Sequence, residues 1–514
     1  MDNPTLAHIA CVVAAAGVVA LLAGRGRAAV VGGLAAIGLA GAGLIGSASG
    51  IGRLDALTSA SGAVAALLGL AALVAAAWVL VARPGWLALA IVFAAPLRPP
   101  VALGDGGAFP IQLAEDGQLG RLLLLYFVLA AAALALAWRA LSAREQGTLP
   151  LRALPRPLGP PAAALLGFAC LSLLWADHPR DGVELLIFFL LPFAVLLGTL
   201  GRSPFPEWLP RALAVLAIAM ASLFAAIGLF QAATRELFFF APNLALSNAN
   251  SGFFRVTSLF GDPSLYGRHV VVGLGVVLAL MALRRIDVRL GAALVALLWA
   301  GLFVSYSQSS MVALLVVTLV IAALTGTRRV RLSVVGAFAL VAVLAVGYLV
   351  SIPIRGDSLR NETADRSERV ADTVRAIEHA PIVGVGVGGQ PEASRQLAGS
   401  DRPTPNFVSH TAPLTVFAEL GVVGLALLAW LVVGAVRMLA GVRALDPAVG
   451  LVLLAVLLAV FVQSLFYPGL LEDPITWVAL GIGAGFMTWP RRDDGTGRGE
   501  LVYDGPGDPA EATA

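Results

Sequence analysis

The sequence contains no lysine and little charge of either sign. All 34 basic residues are Arg, and charged residues make up 13% of the 514 residues, against roughly 25% in soluble domains. A water-soluble surface needs more charge than this, so the composition excludes a soluble globular enzyme, a disordered chain and a coiled coil. Exclusive use of Arg is typical of a GC-rich genome and does not indicate binding to nucleic acid.

Cysteine is also scarce. Cys11 and Cys170 both lie inside apolar runs. They form neither a CxxC pair nor a disulfide framework. We therefore expect two small buried hydrophobic side chains.

Long apolar runs dominate the chain instead. Hydrophobic residues make up 59% of it, and the mean hydropathy is +0.89. A membrane-spanning helix needs roughly 20 mostly apolar residues. Eleven clear runs lie near 6–23, 28–46, 62–82, 85–103, 119–141, 183–200, 209–231, 330–350, 412–436, 447–466 and 474–489. Four shorter runs lie near 161–175, 268–283, 290–304 and 310–324.

These runs predict an all-α, polytopic bundle of transmembrane helices with 12 to 15 spans. The first run has no basic segment before it and no small-residue cleavage site, so we expect it to be a span and not a cleaved signal peptide. The lipid bilayer is then the solvent for most of the chain.

Eighteen of the Arg residues outside the longest loops form seven groups along the chain. These are Arg25 and Arg27; Arg139, Arg144, Arg152 and Arg156; Arg202 and Arg211; Arg284, Arg285 and Arg289; Arg328, Arg329 and Arg331; Arg437 and Arg443; and Arg491 and Arg492. Alternating the chain through the predicted spans places every group on the same face. The positive-inside rule makes that face cytoplasmic, so the sequence predicts a multi-pass protein of the cytoplasmic (inner) membrane.

This topology divides the chain into six parts. They are N-terminal transmembrane helices (1–231), an outer-face loop (232–268), central transmembrane helices (269–350), a large extracytoplasmic loop with an amphipathic helix (351–411), C-terminal transmembrane helices (412–489) and a disordered cytoplasmic tail (490–514). The large outer loop carries seven Arg residues, which long loops tolerate on either face.

A helix is expected within this loop, over Asn361–Ala380. Val370, Val374 and Ile377 recur with helical spacing and form an apolar stripe. Arg366 extends the stripe at its N-terminal end. If the stripe rests on the membrane or on the bundle, Arg366 points inward and down.

A purely structural interpretation of these arginines is also open. Glu362 and Asp365 stand four residues before Arg366 and Arg369, so the four side chains can form surface ion pairs of about 0.3–0.5 kcal/mol each. Arg255, at the end of the other outer loop, can likewise serve to anchor the protein to lipid headgroups.

A glycine-rich segment, Pro381–Gly389, follows the predicted helix. It superficially resembles a dinucleotide-binding fingerprint, but its glycines follow a helix and do not join a strand to one. We expect a tight return of the chain toward the membrane, where Gly permits close backbone approach and unusual dihedral angles.

Ionisable residues occur where the chain enters the membrane from each outer loop. His410 precedes the span that contains Glu419, and Asp262-Pro263 begins another span. A single His at an interface can be a simple polar cap. A carboxyl group at membrane depth is costly, however, and tends to be functional or paired.

At these positions the sequence resembles the O-antigen ligase and polymerase family. That family has an Arg, about fourteen helical residues, Pro-Leu-x-Gly-x-Gly-x-Gly, then His and a span with Glu-Leu-Gly-x-x-Gly. Here Arg366 precedes fourteen residues and Pro381–Gly388, and His410 precedes Glu419-Leu-Gly-Val-Val-Gly.

An upstream family segment, Arg-x-x-Gly/Ser-x-Phe-x-(Asn/Asp)-Pro, is similar to Arg255–Pro263. The resemblance covers roughly residues 250–430. Thr411 stands where the family usually has Asn, and Ser307–Ser310 stands where it often has Ser-Arg-Gly/Ser. The acceptor is therefore not carried over from the family.

The resemblance implies a glycosyltransferase. It would move a glycan from a polyprenyl (undecaprenyl or decaprenyl) diphosphate to a hydroxyl of a glycan or glycolipid acceptor, on the extracytoplasmic face. Arg suits the diphosphate because its fork matches phosphate oxygens and stays charged. The imidazole of His suits a general base. The site residues expected are His410, Arg366 and Arg255 as catalytic groups, and Arg369, Glu419 and Asp262 as substrate-binding groups.

In-line attack in such a site predicts inversion at the anomeric carbon. The loops show no acidic cluster that resembles a metal site, so we expect a metal-independent reaction without a cofactor, and the resemblance implies the same. An apolar groove between spans would hold the lipid tail.

Three other interpretations remain open. A polymerase that extends a lipid-linked glycan would use the same chemistry with a different acceptor. A transporter or flippase would also have many spans, with internal repeats and interrupted helices near the midplane. A purely structural membrane subunit would tolerate substitutions in the Arg-rich outer loop.

Overall fold

A computed structural model describes residues 3–48, 60–99, 101–103, 111–113, 122–142, 151–240, 242–354, 366–489, 491–493 and 499–501. Its α-helices are α1 (Pro4–Ala23), α2 (Arg27–Ser47), α3 (Ala60–Ala82), α4 (Trp86–Ala94), α5 (Leu123–Ser142), α6 (Gly159–Leu171), α7 (Pro179–Leu185), α8 (Leu191–Leu200), α9 (Leu209–Thr234), α10 (Pro242–Asn250), α11 (Pro263–Ala282), α12 (Val288–Phe303), α13 (Gln308–Thr325), α14 (Arg328–Ile354), α15 (Arg366–His379), α16 (Gln390–Leu397), α17 (Ala412–Leu445), α18 (Pro447–Ser464) and α19 (Pro474–Thr488).

Smaller elements connect or extend these helices. Two 3₁₀ turns cover Ser172–Trp175 and Thr404–Phe407, and a π-turn, Leu186–Leu190, makes α7 and α8 continuous. Strands β1 (Val101–Leu103) and β2 (Ile111–Leu113) form an antiparallel pair, as do β3 (Arg491–Asp493) and β4 (Gly499–Leu501).

The predicted all-α, polytopic membrane fold is confirmed. In the described part of the chain, ten helices are long and apolar enough to cross a membrane, and three shorter apolar helices accompany them. Together they fall within the predicted 12 to 15 spans, and α14 covers the predicted run 330–350 as well.

Aspartate followed by proline begins several of these helices. Asp262 Oδ1 accepts hydrogen bonds from the backbone N–H groups of Ser264 (2.6 Å) and Leu265 (3.1 Å). Such an N-cap satisfies donors that the first helical turn leaves unpaired and contributes about 1 kcal/mol. Asp446 and Asp473 begin α18 and α19 in the same way, each followed by Pro at the first helical position.

Two apolar cores hold the bundle together. The larger core combines α1–α8 and α17–α19, and the smaller one combines α9, α11–α13 and α18. Large apolar side chains such as Leu68, Trp78 and Trp299 remain more than half exposed on the outside. An apolar surface of this kind requires lipid around it, because the aliphatic chains of a bilayer are as apolar as leucine.

Three arginines join helix ends on one side of the bundle. The Arg202 guanidinium donates to the carbonyls of Leu21 (2.6 Å) and Gly24 (3.2 Å), at the end of α1. Arg443 donates to Leu324 O at the end of α13, and Arg152 donates to Thr488 O at the end of α19. These three arginines, from distant parts of the sequence, thus lie on one side of the bundle. We call it the arginine side.

The two described helices of the large loop lie at the opposite ends of the spans. Helix α15 packs on α16 and α17 through a small apolar core of Ala376, Ile377, Val385, Ala393 and Ala418. We call this the loop side.

The buried face of α15 differs from the predicted stripe. Ile377 is buried, but Val370 and Val374 are 40% and 37% exposed, and Arg366 is exposed instead of pointing inward. The face that packs contains Asp372, Thr373, Ala376 and Ile377, because Thr373 faces the side chain of Gln390 on α16. The short apolar stripe alone did not identify this polar contact.

Some expectations fall outside the described residues. Asn361–Asp365, and with them the predicted ion pairs to Glu362 and Asp365, are not described, and neither are Arg355 and Arg360. Of the predicted disordered tail (490–514), the structure describes only the strands β3 and β4.

Candidate active site

The glycine-rich turn and a break in α17 fit into each other. Gly421 has φ 65° and ψ −166°, which interrupts the helical hydrogen bonds of α17. Three glycines of the turn, Gly384, Gly386 and Gly388, also have positive φ. Gly adopts this conformation at no steric cost, so the chain can turn sharply on the loop side.

The backbone groups freed by the break are paired by the turn. Val385 N–H donates to Ala418 O and Gly386 N–H donates to Glu419 O, both at 2.9 Å. In return, Val422 N–H donates to Pro381 O at 2.9 Å. Irregular backbone at membrane depth is tolerated only when protein or a cavity satisfies it, and here the two segments satisfy each other.

Side chains would not fit at this crossing. A Cβ added at Gly384 would overlap the backbone of Glu419 and Leu420, and one at Gly421 would overlap that of Ile382 and Val383. The expected tight return of the glycine-rich segment is therefore present. Its effect is to hold the start of α17, and the His410 that precedes it, against α15 and α16.

Gln390 fixes the approach to His410. Its Nε2 donates to Phe407 O (3.0 Å), and its Oε1 accepts from the backbone N–H of Ser409 (3.0 Å). Gln390 is fully buried. Because both ends of its amide are used, the segment that carries His410 has one defined position relative to α16.

His410 is in direct contact with Arg369 of α15. The Arg369 Nη1 to His410 Nε2 distance is 2.6 Å. A guanidinium can only donate, so Nε2 must be the accepting nitrogen and the imidazole is neutral with its proton on Nδ1. His410 Nδ1 is buried and has no hydrogen-bond partner in the described part of the chain.

Burial and two guanidinium groups keep His410 neutral. Burial is the larger cause, and the positive charges of Arg369 and Arg366 add to it, so the pKa of His410 falls to about 4. The neutral imidazole is the form that can accept a proton. Its accepting lone pair is occupied by Arg369 in this structure. We call Arg366, Arg369 and His410 the rim.

Arg255 lies on a different segment of the loop side. Its backbone exchanges two hydrogen bonds of 3.0 Å with the side chain of Asn248, and its Nε donates to Ser305 O at 3.4 Å. Among the described residues, no hydrogen bond or ion pair joins Arg255 to the rim. Its terminal Nη groups make no hydrogen bond there and are available to a ligand.

Asp262 and Glu419 have defined positions as well. Asp262 caps α11 and also accepts a hydrogen bond from the hydroxyl of Tyr467; burial, the charge of Asp262 and this hydrogen bond raise the pKa of Tyr467. The Glu419 carboxyl accepts from the backbone N–H groups of Gly388 and Gln390. The Glu419 side chain therefore reinforces the crossing that its own backbone forms.

A cavity of about 860 Å³ lies next to the rim. Ser409 and Gln390 line it, and its walls come from the loop-side ends of α5, α7, α11, α17 and α19 with the segments that precede them. We call it the chamber. Glu419 is the one predicted site residue in its lining. The lining also contains the ionisable residues Arg98, Asp181, Arg268, His269, Glu472 and Asp473.

Sequence reasoning did not select these six residues. A signal was present for four of them: Arg268-His269 and Glu472-Asp473 are ionisable pairs directly at the start of apolar runs. Such positions are costly unless they are paired or functional. No local signal marks Arg98 or Asp181, which reach the chamber only through the packing of the bundle.

The fold and this site define a polytopic membrane protein with a paired Arg and His beside a cavity at one end of its helices. Residues 292–429 match the family model described as O-antigen ligase. The matched region includes Arg366, Arg369, His410 and Glu419, whereas Arg255 and Asp262 precede it. This region of the chain is thus O-antigen ligase-like, which supports a function in processing glycans at a membrane. A search of curated proteins returned no match.

Proposed function

We propose that the protein transfers a glycan from a polyprenyl diphosphate carrier to an acceptor hydroxyl on the extracytoplasmic face of the cytoplasmic membrane. The observation that carries this proposal is the contact between Arg369 and His410, with Arg366 close enough to lower the pKa of the imidazole. A permanent cation beside a neutral base suits a reaction that releases an anionic leaving group and removes a proton.

In this mechanism the acceptor oxygen attacks the anomeric carbon. The bond from that carbon to the phosphate oxygen breaks, and its electron pair stays on the diphosphate. The acceptor proton passes to His410 Nε2. Attack from the side opposite the leaving group inverts the anomeric configuration.

The rim arginines bind the diphosphate in this proposal. Arg366 is exposed and free to meet an incoming lipid phosphate, whereas Arg369 must leave Nε2 to do so. Binding of the diphosphate therefore frees the accepting lone pair of His410, so that the base becomes available only when the donor is present. Arg255 would supply a further cation through its unpaired Nη groups.

The supporting observation for the assigned face is the separation of charges along the bundle. The Arg groups that join helix ends are on the arginine side, and the rim is on the loop side. The positive-inside rule assigns the arginine side to the cytoplasm. The reaction then takes place outside, as the resemblance implies, without a metal or cofactor.

Ligase and polymerase differ only in the acceptor. A strain that lacks a ligase should accumulate long lipid-linked glycan, whereas one that lacks a polymerase should accumulate single lipid-linked repeat units. We propose the ligase type, which the description of the family model matched by residues 292–429 supports. The polymerase is the alternative, and accumulation of single lipid-linked repeat units in the deletion strain would reveal it.

The direct experiment is reconstitution in phospholipid nanodiscs with a lipid-linked glycan and a separate acceptor. Covalent transfer to the acceptor with release of polyprenyl diphosphate is the expected result. Movement of the lipid-linked glycan across the bilayer without transfer would contradict the proposal and indicate a flippase.

A further inference from the structure

The chamber offers mainly hydrogen-bond acceptors. His269 Nδ1 lies 2.9 Å from Leu265 O, and a carbonyl can only accept, so the proton of the neutral imidazole is on Nδ1 and its Nε2 carries a lone pair. That Nε2 is buried and has no hydrogen-bond partner among the described residues. Phe260 stacks on the imidazole with a centroid distance of 4.3 Å and fixes its plane.

Carboxyl groups add to this set of acceptors. Asp181, Glu184, Glu419 and Glu472 all line the chamber. Glu419 and Glu472 interact electrostatically, so they face the same space. In the described part of the chain, the carboxyl of Glu472 accepts backbone N–H groups from Leu470 and from itself, which leaves acceptor capacity for a ligand.

The cations of the chamber do not balance these groups. Arg268 is 1% exposed and bound by Asp473, by Gln463 Oε1 at 2.5 Å and by Gly469 O at 3.0 Å. Its guanidinium is therefore already satisfied. Arg98 also lines the chamber, one cation against four carboxyl groups. This balance disfavours a diphosphate, which the cationic rim suits instead.

The remaining walls are apolar and aromatic. Tyr126, Phe188, Phe189 and Tyr467 contribute to the lining together with Leu and Pro side chains. Sugar rings combine hydroxyl donors on their edges with apolar C–H faces. An acceptor-rich cavity with aromatic walls and a volume within the usual range for small-ligand sites fits such a molecule.

We propose that the chamber binds an uncharged sugar unit of the transferred or accepting glycan, with His269 Nε2, Glu419 and Glu472 accepting hydrogen bonds from its hydroxyls. This inference rests on the proposed function and adds the class of sugar. Acidic sugars such as uronates are disfavoured because, in the described lining, their carboxylate would find no free cation apart from Arg98.

The test uses a cysteine reporter and does not require transfer. Cys11 and Cys170, both buried, are replaced by Ala, and Thr415→Cys places one thiol in the chamber lining. The full chain in phospholipid nanodiscs is labelled with a neutral methanethiosulfonate; nanodiscs avoid glycoside detergents that would compete. Glu378→Cys, at an exposed position of α15, is the matched control. Leu470→Cys, also in the chamber lining, replaces Thr415→Cys if that variant does not fold.

We expect methyl glucoside to slow labelling of Thr415→Cys several-fold and leave Glu378→Cys unchanged. Methyl glucuronide should have little effect, and His269→Ala should remove most of the protection. Equal protection by the glucuronide, or no protection by the glucoside, would overturn the inference. A failed transfer reaction with intact protection would instead reject the proposed function alone.

A second arm separates the two sources of the sugar. Undecaprenyl diphosphate N-acetylglucosamine is compared with methyl glucoside for protection of Thr415→Cys from labelling. If the lipid-linked sugar protects at a far lower concentration, the chamber binds the donor glycan. Similar concentrations for both would assign it to the acceptor glycan.

Discussion

The rim and the chamber meet at Ser409 and His410 but offer opposite chemistry. The rim presents guanidinium donors to the loop side, and the chamber presents carboxyl and imidazole acceptors below it. A lipid-linked glycan has the same division, since its diphosphate is anionic and its sugars carry hydroxyl donors. The difference teaches that two adjacent regions can recognise the two halves of one substrate. Substitutions in the rim should then reduce the rate of transfer, whereas substitutions in the chamber should weaken binding of the glycan.

The largest loss is expected from the rim. His410→Ala should reduce transfer by about 10²–10⁴-fold, because general-base catalysis contributes that much, with unchanged amounts of protein in the membrane. His379→Ala, at the exposed end of α15, is the control and should transfer normally. Full activity of His410→Ala in the reconstituted assay would remove His410 as the base.

The second largest loss of transfer activity, about 10²–10³-fold, is expected for Arg366→Ala. A loss of this size is typical when one group that stabilises developing charge is removed. Arg366→Lys should recover only part of the activity, because an ammonium lacks the fork that matches phosphate oxygens. Arg402→Ala, an exposed neighbour paired with Glu368 at 3.5 Å, is the matched control. Equal activities of the Arg366 and Arg402 variants would show that Arg366 does not bind the diphosphate.

A smaller change is expected from the chamber. His269→Ala removes one hydrogen bond of about 0.5–1.5 kcal/mol, so it should raise KM for a neutral glycan by about two- to tenfold and leave kcat nearly unchanged. His8→Ala, exposed on α1, should change neither constant. A fall in kcat without a change in KM would show that His269 takes part in the chemical step and not in binding. The proposed separation of roles between rim and chamber would then be wrong.

The pH profile separates Arg369 from a purely structural role. The folded protein holds the pKa of His410 at about 4, below the usual value of about 6.5, so the base is neutral at pH 7 and its activity is lost only as the pH falls toward 4. Arg369→Gln removes one of the charges that lower this pKa, and the acid limb should move to higher pH. Burial, the larger cause, remains, so the shift should be partial. An acid limb that stays in place in Arg369→Gln, as in the control Arg402→Gln, would contradict the electrostatic role.

No change is expected from metal removal. The carboxyl groups of the chamber hold sugar hydroxyls in this account, so treatment with EDTA should leave transfer by the reconstituted protein unaltered. A loss that added Mg²⁺ or Mn²⁺ restores would show that these carboxyl groups, or the diphosphate, require a cation.

Local patterns in the sequence predict much of the rim and of its support. The apolar runs predict the helices, the glycines of Pro381–Gly389 predict the tight return, and the helical pattern before them predicts α15. Dihedral freedom and apolar period are properties of neighbouring residues. The partner of His410 was less visible in the sequence, because the predicted stripe is extended by Arg366, whereas the contact with His410 is made by Arg369.

The chamber was not predictable in this way. His269, Glu472 and Arg98 are separated by more than a hundred residues in sequence and meet only because their helices end on the same side. Which ends adjoin depends on the packing of the whole bundle, and a single sequence contains no direct signal for that. The ionisable pairs at 268–269 and 472–473 indicate that something polar is buried, but not what it faces.

The most direct test of the central claim is a structure of the protein in nanodiscs with a polyprenyl diphosphate bound. We expect phosphate oxygens within hydrogen-bond distance of Arg366 and Arg369, and His410 Nε2 released from Arg369. A diphosphate bound inside the chamber beside Arg98, or on the arginine side of the bundle, would contradict the account.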